Sequence, residues 1–125
     1  MKHLDTTVAI DHLRGHRGAT GLIEEVLDGD APLGASEVVR FELIGGVRQA
    51  EAETLERFFE GLIWLPVTED VARMAGDLAR RYRPAYAGID DADYLIAATA
   101  LVVDAELLTT NVRHFPMYED LEPPY

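Results

Sequence analysis

The chain has 125 residues, a length that favours one domain over two, and 48% of its residues are apolar types that fill a core. It contains no cysteine, which excludes disulfides, thiolate metal sites and cysteine nucleophiles and is typical of a reducing compartment, so we expect the cytoplasm. The formal net charge of −12 opposes nucleic-acid binding through a broad basic face, but it is compatible with a metal-bearing acidic pocket flanked by a few arginines.

Export, membrane insertion and two kinds of covalent chemistry are disfavoured. The longest apolar stretch, residues 94–103, is far shorter than the about 20 residues that span a bilayer. Asp5 falls where the apolar part of an export signal would lie. The single serine, Ser36, is not in a G-x-S-x-G motif, and the single lysine, Lys2, gives little support to Schiff-base chemistry.

The first half of the chain alternates two short strands with four helical patterns. The predicted elements are a strand at Met1–Leu4, helices at Val8–Leu13 and Ala19–Leu27, a strand at Pro32–Ala35, a helix that Ser36 caps and that ends at Gly45-Gly46, and a helix at Ala50–Gly61. Thr6 and Thr7 are the predicted cap of the first helix, because threonine hydroxyls accept hydrogen bonds from the first N–H groups of a helix.

The second half adds two strands and two helices. The predicted elements are a buried strand at Ile63–Val67, a helix that Thr68 caps, a helix at Ala92–Val103 and a strand at Glu106–Thr109. The helix at Ala92–Val103 is apolar almost all round, which is typical of a central, buried helix. Strands alternating with helices predict an α/β/α sandwich with a mainly parallel sheet, formed by a single domain over residues 1–125.

Polar side chains with metal-binding chemistry are predicted at one edge of this sheet. Asp5 follows the first strand, Asp93 enters the helix at Ala92–Val103, and Asn111 follows the last strand. Ligands of parallel α/β sheets gather at the carboxyl ends of the strands. Glu42 adds a carboxylate to VVRFELIGG, a helix otherwise committed to the core. Three acids on separate elements form an oxygen-rich set that suits Mg²⁺ or Mn²⁺.

Each of these acids also has a purely structural interpretation. Asp5 could make a strand-end turn, and Glu42 could reach solvent or pair with Arg40 or Arg48. Asp93 could cap its helix, where a carboxylate in the first turn is favoured by the helix dipole. Asp90 and Asp91 compete for that cap, which would leave Asp93 free for another role.

Four motifs carry a family resemblance. In chain order they are LDTTV, FEL, DADYLIAATAL and LLTTNVRHFP, and together they resemble a PIN domain, closely that of the VapC toxins of toxin–antitoxin pairs. The resemblance covers essentially the whole chain. It implies a metal-dependent endoribonuclease that cuts structured or translational RNA and is held inactive by a small cognate antitoxin.

The resemblance also implies roles for individual residues. Asp5, Glu42 and Asp93 match the acidic triad of the family, and Asn111 stands at its fourth acidic position, where it departs from the strictly acidic pattern. That departure puts a fully occupied second metal site in doubt. The resemblance further implies that some apolar helix faces serve a homodimer or an antitoxin helix rather than the core.

A mechanism for such a site follows from general chemistry. A divalent cation held by Asp5 and Asp93 would polarise a phosphodiester oxygen, and Glu42 would orient or deprotonate the attacking water. Asn111 would position the water or the phosphate. The neighbouring hydroxyls of Thr6 and Thr110 are expected to donate hydrogen bonds to these groups. Three arginines are expected to offset the local repulsion of RNA: Arg14, Arg17 and Arg113.

Two other functions are alternatives to the ribonuclease. A phosphoacceptor receiver domain has a similar size and acidity, but it needs an adjacent acid pair after the first strand and a lysine late in the chain. Here Thr6 follows Asp5, and no lysine follows Lys2. A PIN-fold module that only binds is the closer rival, although an unused cluster of like charges would cost stability. None of the four histidines shows H-E-x-x-H spacing, which disfavours a zinc site.

Overall fold

The computed structural model describes all residues from Met1 to Tyr125. In chain order the elements are β1 Lys2–Leu4, α1 Thr6–Leu13, α2 Arg17–Asp28, β2 Leu33–Ser36, α3 Glu37–Gly46, a 3-10 turn at Gln49–Glu51, α4 Ala52–Phe59, β3 Ile63–Leu65, α5 Glu69–Tyr82, α6 Asp91–Val102, β4 Glu106–Leu108 and a 3-10 turn at Val112–His114. Every predicted strand and helix is present, with ends shifted by a few residues.

The four strands form one sheet in the order β3-β2-β1-β4. All three neighbouring pairs are parallel, and Lys2 of β1 lies opposite both Leu33 of β2 and Glu106 of β4. The α/β prediction is confirmed, and the sheet is wholly rather than mainly parallel. Because the strands run the same way, their carboxyl ends meet at one edge, where Asp5 and Thr109 follow β1 and β4.

Polar side chains begin three of the helices as the sequence predicts. Ser36 accepts a hydrogen bond from the N–H of Val38, and Thr68 accepts one from Val71. Asp90 caps α6. The prediction for α1 was wrong: this helix begins at Thr6, with Asp5 at the cap position, and the threonine hydroxyls bond to carboxylates instead.

The region between α3 and α5 differs most from the prediction. The helix expected at Ala50–Gly61 is a 3-10 turn followed by the shorter α4. The strand expected to be buried at Ile63–Val67 is the three-residue β3 at the edge of the sheet, where Ile63 is 46% exposed. A short apolar run is compatible with an edge strand as well as with a central one, so the sequence does not distinguish the two positions.

A single cluster of 26 buried apolar residues forms the core. Helix α6 runs through it, as predicted, with Ile96, Ala97, Ala98 and Ala100 fully buried, and α5 packs along it. The carboxyl end of α6 emerges from the core at Leu101. No helix is both long enough and apolar enough to cross a membrane.

Candidate active site

Asp5 is the most buried carboxylate of the site, at 2% exposure. Its backbone N–H donates to the carbonyl of Leu108, which fixes the residue beside the end of β4. The hydroxyls of Thr109 and Thr7 both donate to its Oδ2, at 2.6 and 2.9 Å. Burial raises the pKa of Asp5, and these hydroxyls offset part of the rise. The fold thus holds a carboxylate at the sheet edge with hydroxyl donors and without an ion pair.

Glu42 lies half-buried on α3, and its Oε1 accepts a hydrogen bond of 2.7 Å from the Thr6 hydroxyl. It pairs with neither Arg40, which bonds to Glu37, nor Arg48. Burial raises the pKa of Glu42, although the Thr6 bond lowers it in part. The nearby negative charges of Asp90 and Asp5 raise it further, which places Glu42 in electrostatic range of both.

Asp93 lies in the first turn of α6 and makes two kinds of contact. Asp90 and Asp93 form a reciprocal capping box, in which each side chain accepts the other's backbone N–H at 3.0 and 3.3 Å. The Nδ1 of His114 lies 2.9 Å from the Asp93 carboxylate. Burial, followed by the charge of Asp90, raises the pKa of Asp93 to about 6. The expectation that Asp90 would leave Asp93 free of capping was therefore wrong, because both take part.

Asn111 joins the same network through its backbone. Its N–H donates to the Thr109 hydroxyl at 2.9 Å, and that hydroxyl in turn donates to Asp5. The half-buried Asn111 side chain makes no capping bond to the following 3-10 turn. The Asn111 side-chain amide therefore has no capping role.

The structure brings Glu42 near enough to Asp5 and Asp90 for their charges to raise its pKa, but it does not form a finished ligand cage. No three of the chain's His, Asp and Glu side chains form a group that could by itself hold a metal ion. The donor set nevertheless has the chemistry of a magnesium site, since it consists of carboxylate oxygens whose charge lacks an arginine or lysine partner. A bound cation would offset the burial and like-charge effects that raise these pKa values.

The PIN domain model matches residues 2–119. This chain belongs to the PIN domain family. The fold expected of a PIN domain, a parallel sheet flanked by helices, is the one described above.

Curated relatives of this PIN domain extend over its full length. The chain is 61% identical over 125 residues, all of both chains, to Ribonuclease VapC19 of Mycobacterium tuberculosis. It is 47% identical to Ribonuclease VapC10 of the same species over 122 residues, which cover 98% of this chain and 91% of that one. The expected resemblance to VapC proteins is confirmed.

Solved structures share the fold of this PIN domain. A toxin–antitoxin complex from Klebsiella pneumoniae superposes with a TM-score of 0.82 at 23% identity, covering 100% of this chain and 98% of that chain. VapBC-1 from nontypeable Haemophilus influenzae superposes with a TM-score of 0.79 at 25% identity, covering 97% and 94%.

Beside the acidic edge of this PIN domain lies a cleft of about 360 Å³. Glu42 and Arg14 line it together with apolar side chains of α1, α3 and α4, among them Ile10, Leu13 and Leu55. Arg14 thus lines the same cleft as Glu42. The cleft is lined by both apolar and charged side chains.

Three contacts at the site escaped the sequence reasoning. The hydroxyl that supports Asp5 belongs to Thr109 rather than to Thr110, which contributes only its backbone N–H to Thr7. Thr109 is fully buried directly after β4 and Thr110 is half-buried, but two adjacent threonines give no sequence signal that separates them. His114 follows no metal-binding spacing, so only the fold reveals its contact with Asp93.

Proposed function

We propose that this PIN domain is an endoribonuclease that uses a divalent cation to hydrolyse RNA phosphodiester bonds, and that it acts in the cytoplasm as the toxin of a toxin–antitoxin pair. The observation that carries the proposal is the buried Asp5 carboxylate, which lies at the sheet edge beside Glu42 without an ion-pair partner. The names of the relatives, Ribonuclease VapC19 and Ribonuclease VapC10, support the same reaction.

Asp5 and Asp93 are the residues that would hold the cation, Mg²⁺ or Mn²⁺. Mg²⁺ is commonly bound by one or two carboxylates together with waters and substrate phosphates, which fits a site without three protein ligands. The threonine hydroxyls both bond to Oδ2 of Asp5, so its Oδ1 has no side-chain donor and can face a ligand. When bound, the cation would stabilise negative charge on the phosphate and make a bound water more acidic.

Glu42 is the residue that would orient the attacking water and accept its proton. Its half-buried carboxylate has no arginine or lysine partner, so it can accept a proton from a water. The Thr6 hydroxyl holds Oε1, which leaves Oε2 for the water. Asn111 would donate a hydrogen bond to the phosphate or to this water from its side-chain amide, and His114 would keep the Asp93 carboxylate in place.

RNA must approach a chain of net charge −12. Three arginines without carboxylate partners, Arg14, Arg17 and Arg113, would attract phosphates near the site. Of these, Arg14 has the clearest support, because it lines the cleft that also contains Glu42.

A cleavage assay tests the proposed reaction. Purified protein should cut transfer RNA or ribosomal RNA in Mg²⁺ and stop in EDTA. The variant Asp5→Asn should lose this activity, whereas the matched variant Asp28→Asn, which changes an exposed acid at the end of α2, should retain it. RNA binding without cleavage by the wild-type protein in Mg²⁺ or Mn²⁺ would instead indicate a PIN-fold binding module.

The cleft beside Glu42 supports an antitoxin as the protein partner. Ile10, Leu13 and Val47 of its apolar wall are half-buried in the isolated chain, so they offer apolar surface to an amphipathic segment. The structural relatives named above include toxin–antitoxin complexes. Co-expression with the product of an adjacent short reading frame should yield a stable complex that does not cut RNA. Recovery of two unassociated proteins would contradict this partner.

A homodimer is the proposed assembly of the toxin itself. On α3, Phe41 is 74% exposed and Ile44 is 50% exposed, and such apolar surface can overcome the repulsion between two chains of charge −12. Light scattering at high salt and high protein concentration should give twice the mass of the chain. A monomer under those conditions would contradict the dimer.

A further inference from the structure

The last turn of α5 and the segment that connects it to α6 combine positive charge with aromatic rings. Residues 80–89 read RRYRPAYAGI, and we call them the basic loop. Arg80, Arg81 and Arg83 lie within four positions, the densest positive stretch of a chain whose net charge is −12. The basic loop contains no acidic residue.

The basic loop leads directly to the acidic site. Helices α5 and α6 pack against each other, so the end of α5 lies beside the beginning of α6, where Asp93 is found. Arg83 donates a hydrogen bond of 2.7 Å to Asp91, and its guanidinium carbon lies 5.5 Å from the centre of the Tyr94 ring. Both contacts are with neighbours of Asp93 in the first turn of α6. A chain bound at Asp93 would therefore pass the basic loop.

The guanidinium groups of the basic loop are available to a new anion. Arg81 has no carboxylate partner, whereas seven of the eleven Lys and Arg side chains have one. Arg83 pairs with Asp91, but the two side chains are 58% and 87% exposed. Exposed ion pairs contribute little to stability, so a phosphate can replace such a carboxylate at low cost.

An exposed tyrosine favours a nucleic acid over other anions as the ligand of the basic loop. Tyr86 is 45% exposed, and its ring centre lies 6.0 Å from that of Tyr82. The guanidinium of Arg81 lies 5.4 Å from the Tyr82 ring. Unpaired bases stack on such rings and their phosphates bind arginine, which is the usual chemistry of single-strand recognition. An acidic protein would need the charges but not the exposed ring.

We propose that the basic loop binds the single-stranded RNA that adjoins the scissile phosphate, with Arg81 and Arg83 on phosphates and Tyr86 stacked on a base. This assignment rests on the proposed ribonuclease function and adds to it a substrate-binding surface outside the acidic site. It explains how a strongly acidic chain holds a polyanion, since the attraction is concentrated beside Asp93 rather than spread over a face.

Binding can be measured apart from cleavage. Fluorescence anisotropy with a fluorescein-labelled single-stranded RNA of mixed sequence, in EDTA, compares the wild type with Arg81→Gln/Arg83→Gln and with Tyr86→Ala. The double variant should bind about tenfold more weakly, and the slope of log K against log salt should shrink by about 0.7 for each lost phosphate contact. Tyr86→Ala should weaken binding about tenfold with the slope unchanged.

The matched control is Arg57→Gln/Arg73→Gln, which removes two arginine charges outside the basic loop, where Arg57 pairs with Glu53 and Arg73 with Glu69. It should bind RNA like the wild type. Circular dichroism melts confirm folding, and Arg81→Gln alone provides a milder variant. Wild-type affinity and slope in both loop variants would overturn the assignment of the basic loop. Competition by polyglutamate equal to that by RNA, with no effect of Tyr86→Ala, would also overturn it.

Cleavage by the wild-type protein separates this proposal from the one on which it rests. If the wild type cuts RNA in Mg²⁺ while the loop variants bind and cut normally, the basic loop assignment is wrong and the ribonuclease function stands. If the wild type neither cuts nor binds RNA, the ribonuclease function itself is wrong.

Discussion

Strand β1 carries one buried titratable residue within the sheet and leads to another at its carboxyl end. His3 is fully buried, neither ring nitrogen has a hydrogen-bond partner, and burial lowers its pKa to about 4. Asp5 is almost as buried, but two threonine hydroxyls donate to its carboxylate. Burial disfavours the charged form of both groups. Only Asp5 accepts hydrogen bonds that stabilise its charged form. The edge of the sheet therefore accommodates a charged carboxylate, whereas the interior accommodates a neutral imidazole.

The largest effect is expected from neutralising Asp93 at the sheet edge. Asp93→Asn keeps the size of the side chain and its role in the capping box, while it removes a ligand charge. RNA cleavage in saturating Mg²⁺ should fall by on the order of a hundredfold or more. Cleavage at the wild-type rate, with contaminating nuclease excluded, would show that Asp93 is not part of the site.

The same variant has an opposite effect on stability. The pKa of Asp93 in the folded chain, about 6, lies above the ordinary 3.8, so its contribution to stability is full below pH 3.8 and is lost as the pH rises through 6. In EDTA at pH 7, Asp93→Asn should therefore melt at a higher temperature than the wild type. Added Mg²⁺ should stabilise the wild type more than the variant. An equal response to Mg²⁺ would contradict the role of Asp93 as a ligand.

His3 should give the largest pH effect on stability. Its folded pKa of about 4 lies below the ordinary 6.5, so its contribution is full above pH 6.5 and is lost as the pH falls through 4. Over that window the wild type should lose up to about 3 kcal/mol more unfolding free energy than His3→Gln, measured by urea denaturation. An equal loss of unfolding free energy in the wild type and in His3→Gln over that window would contradict this role of His3.

Removing one donor from Asp5 should have an intermediate effect. Thr109→Val keeps the shape of the side chain but removes the hydroxyl that lies 2.6 Å from Asp5. Mg²⁺ affinity, measured by calorimetry, should fall about tenfold because the carboxylate is less well held. The adjacent Thr110→Val is the control, since only the backbone of Thr110 contacts the network. Equal losses in both variants would mean that the Thr109 hydroxyl has no special role.

The smallest effect is expected at Asn111. Asn111→Asp adds a carboxylate near Asp5, where the family pattern has an acid. Mg²⁺ affinity should rise severalfold, and the stability of the metal-free protein should fall because another like charge joins the site. Thermal melts over a series of Mg²⁺ concentrations measure both changes. Weaker Mg²⁺ binding by this variant would place Asn111 away from the cation.

The fold was predictable where the pattern was local. The helix predicted at Ala92–Val103 matches α6 to within a residue at each end, and Ser36 and Thr68 marked their helices correctly. The edge position of β3 could not be predicted, because it depends on strand order rather than on the composition of Ile63–Leu65.

The candidate site was predictable only in its charged residues. Glu42 was singled out because a carboxylate is costly in a helix committed to the core. Asp5 and Asp93 were singled out because they lie at the predicted carboxyl edge of the sheet. The residues that donate hydrogen bonds to these acids could not be identified from the sequence. Thr109 and Thr110 are adjacent residues of the same type, and only the structure shows that the Thr109 hydroxyl, rather than that of Thr110, bonds to Asp5. The contact between His114 and Asp93 likewise depends on tertiary packing.

The central claim is that the Asp5 carboxylate at the edge of the sheet binds a divalent cation. Crystals of the protein soaked in Mn²⁺ would show the position of the ion by its anomalous scattering. The account predicts one ion ligated directly by Asp5 and Asp93, with Glu42 in contact with a water on that ion, and no ion in crystals of Asp5→Asn. Manganese bound only at other acidic residues, or absent from Asp5 and Asp93 at saturating concentration, would contradict it.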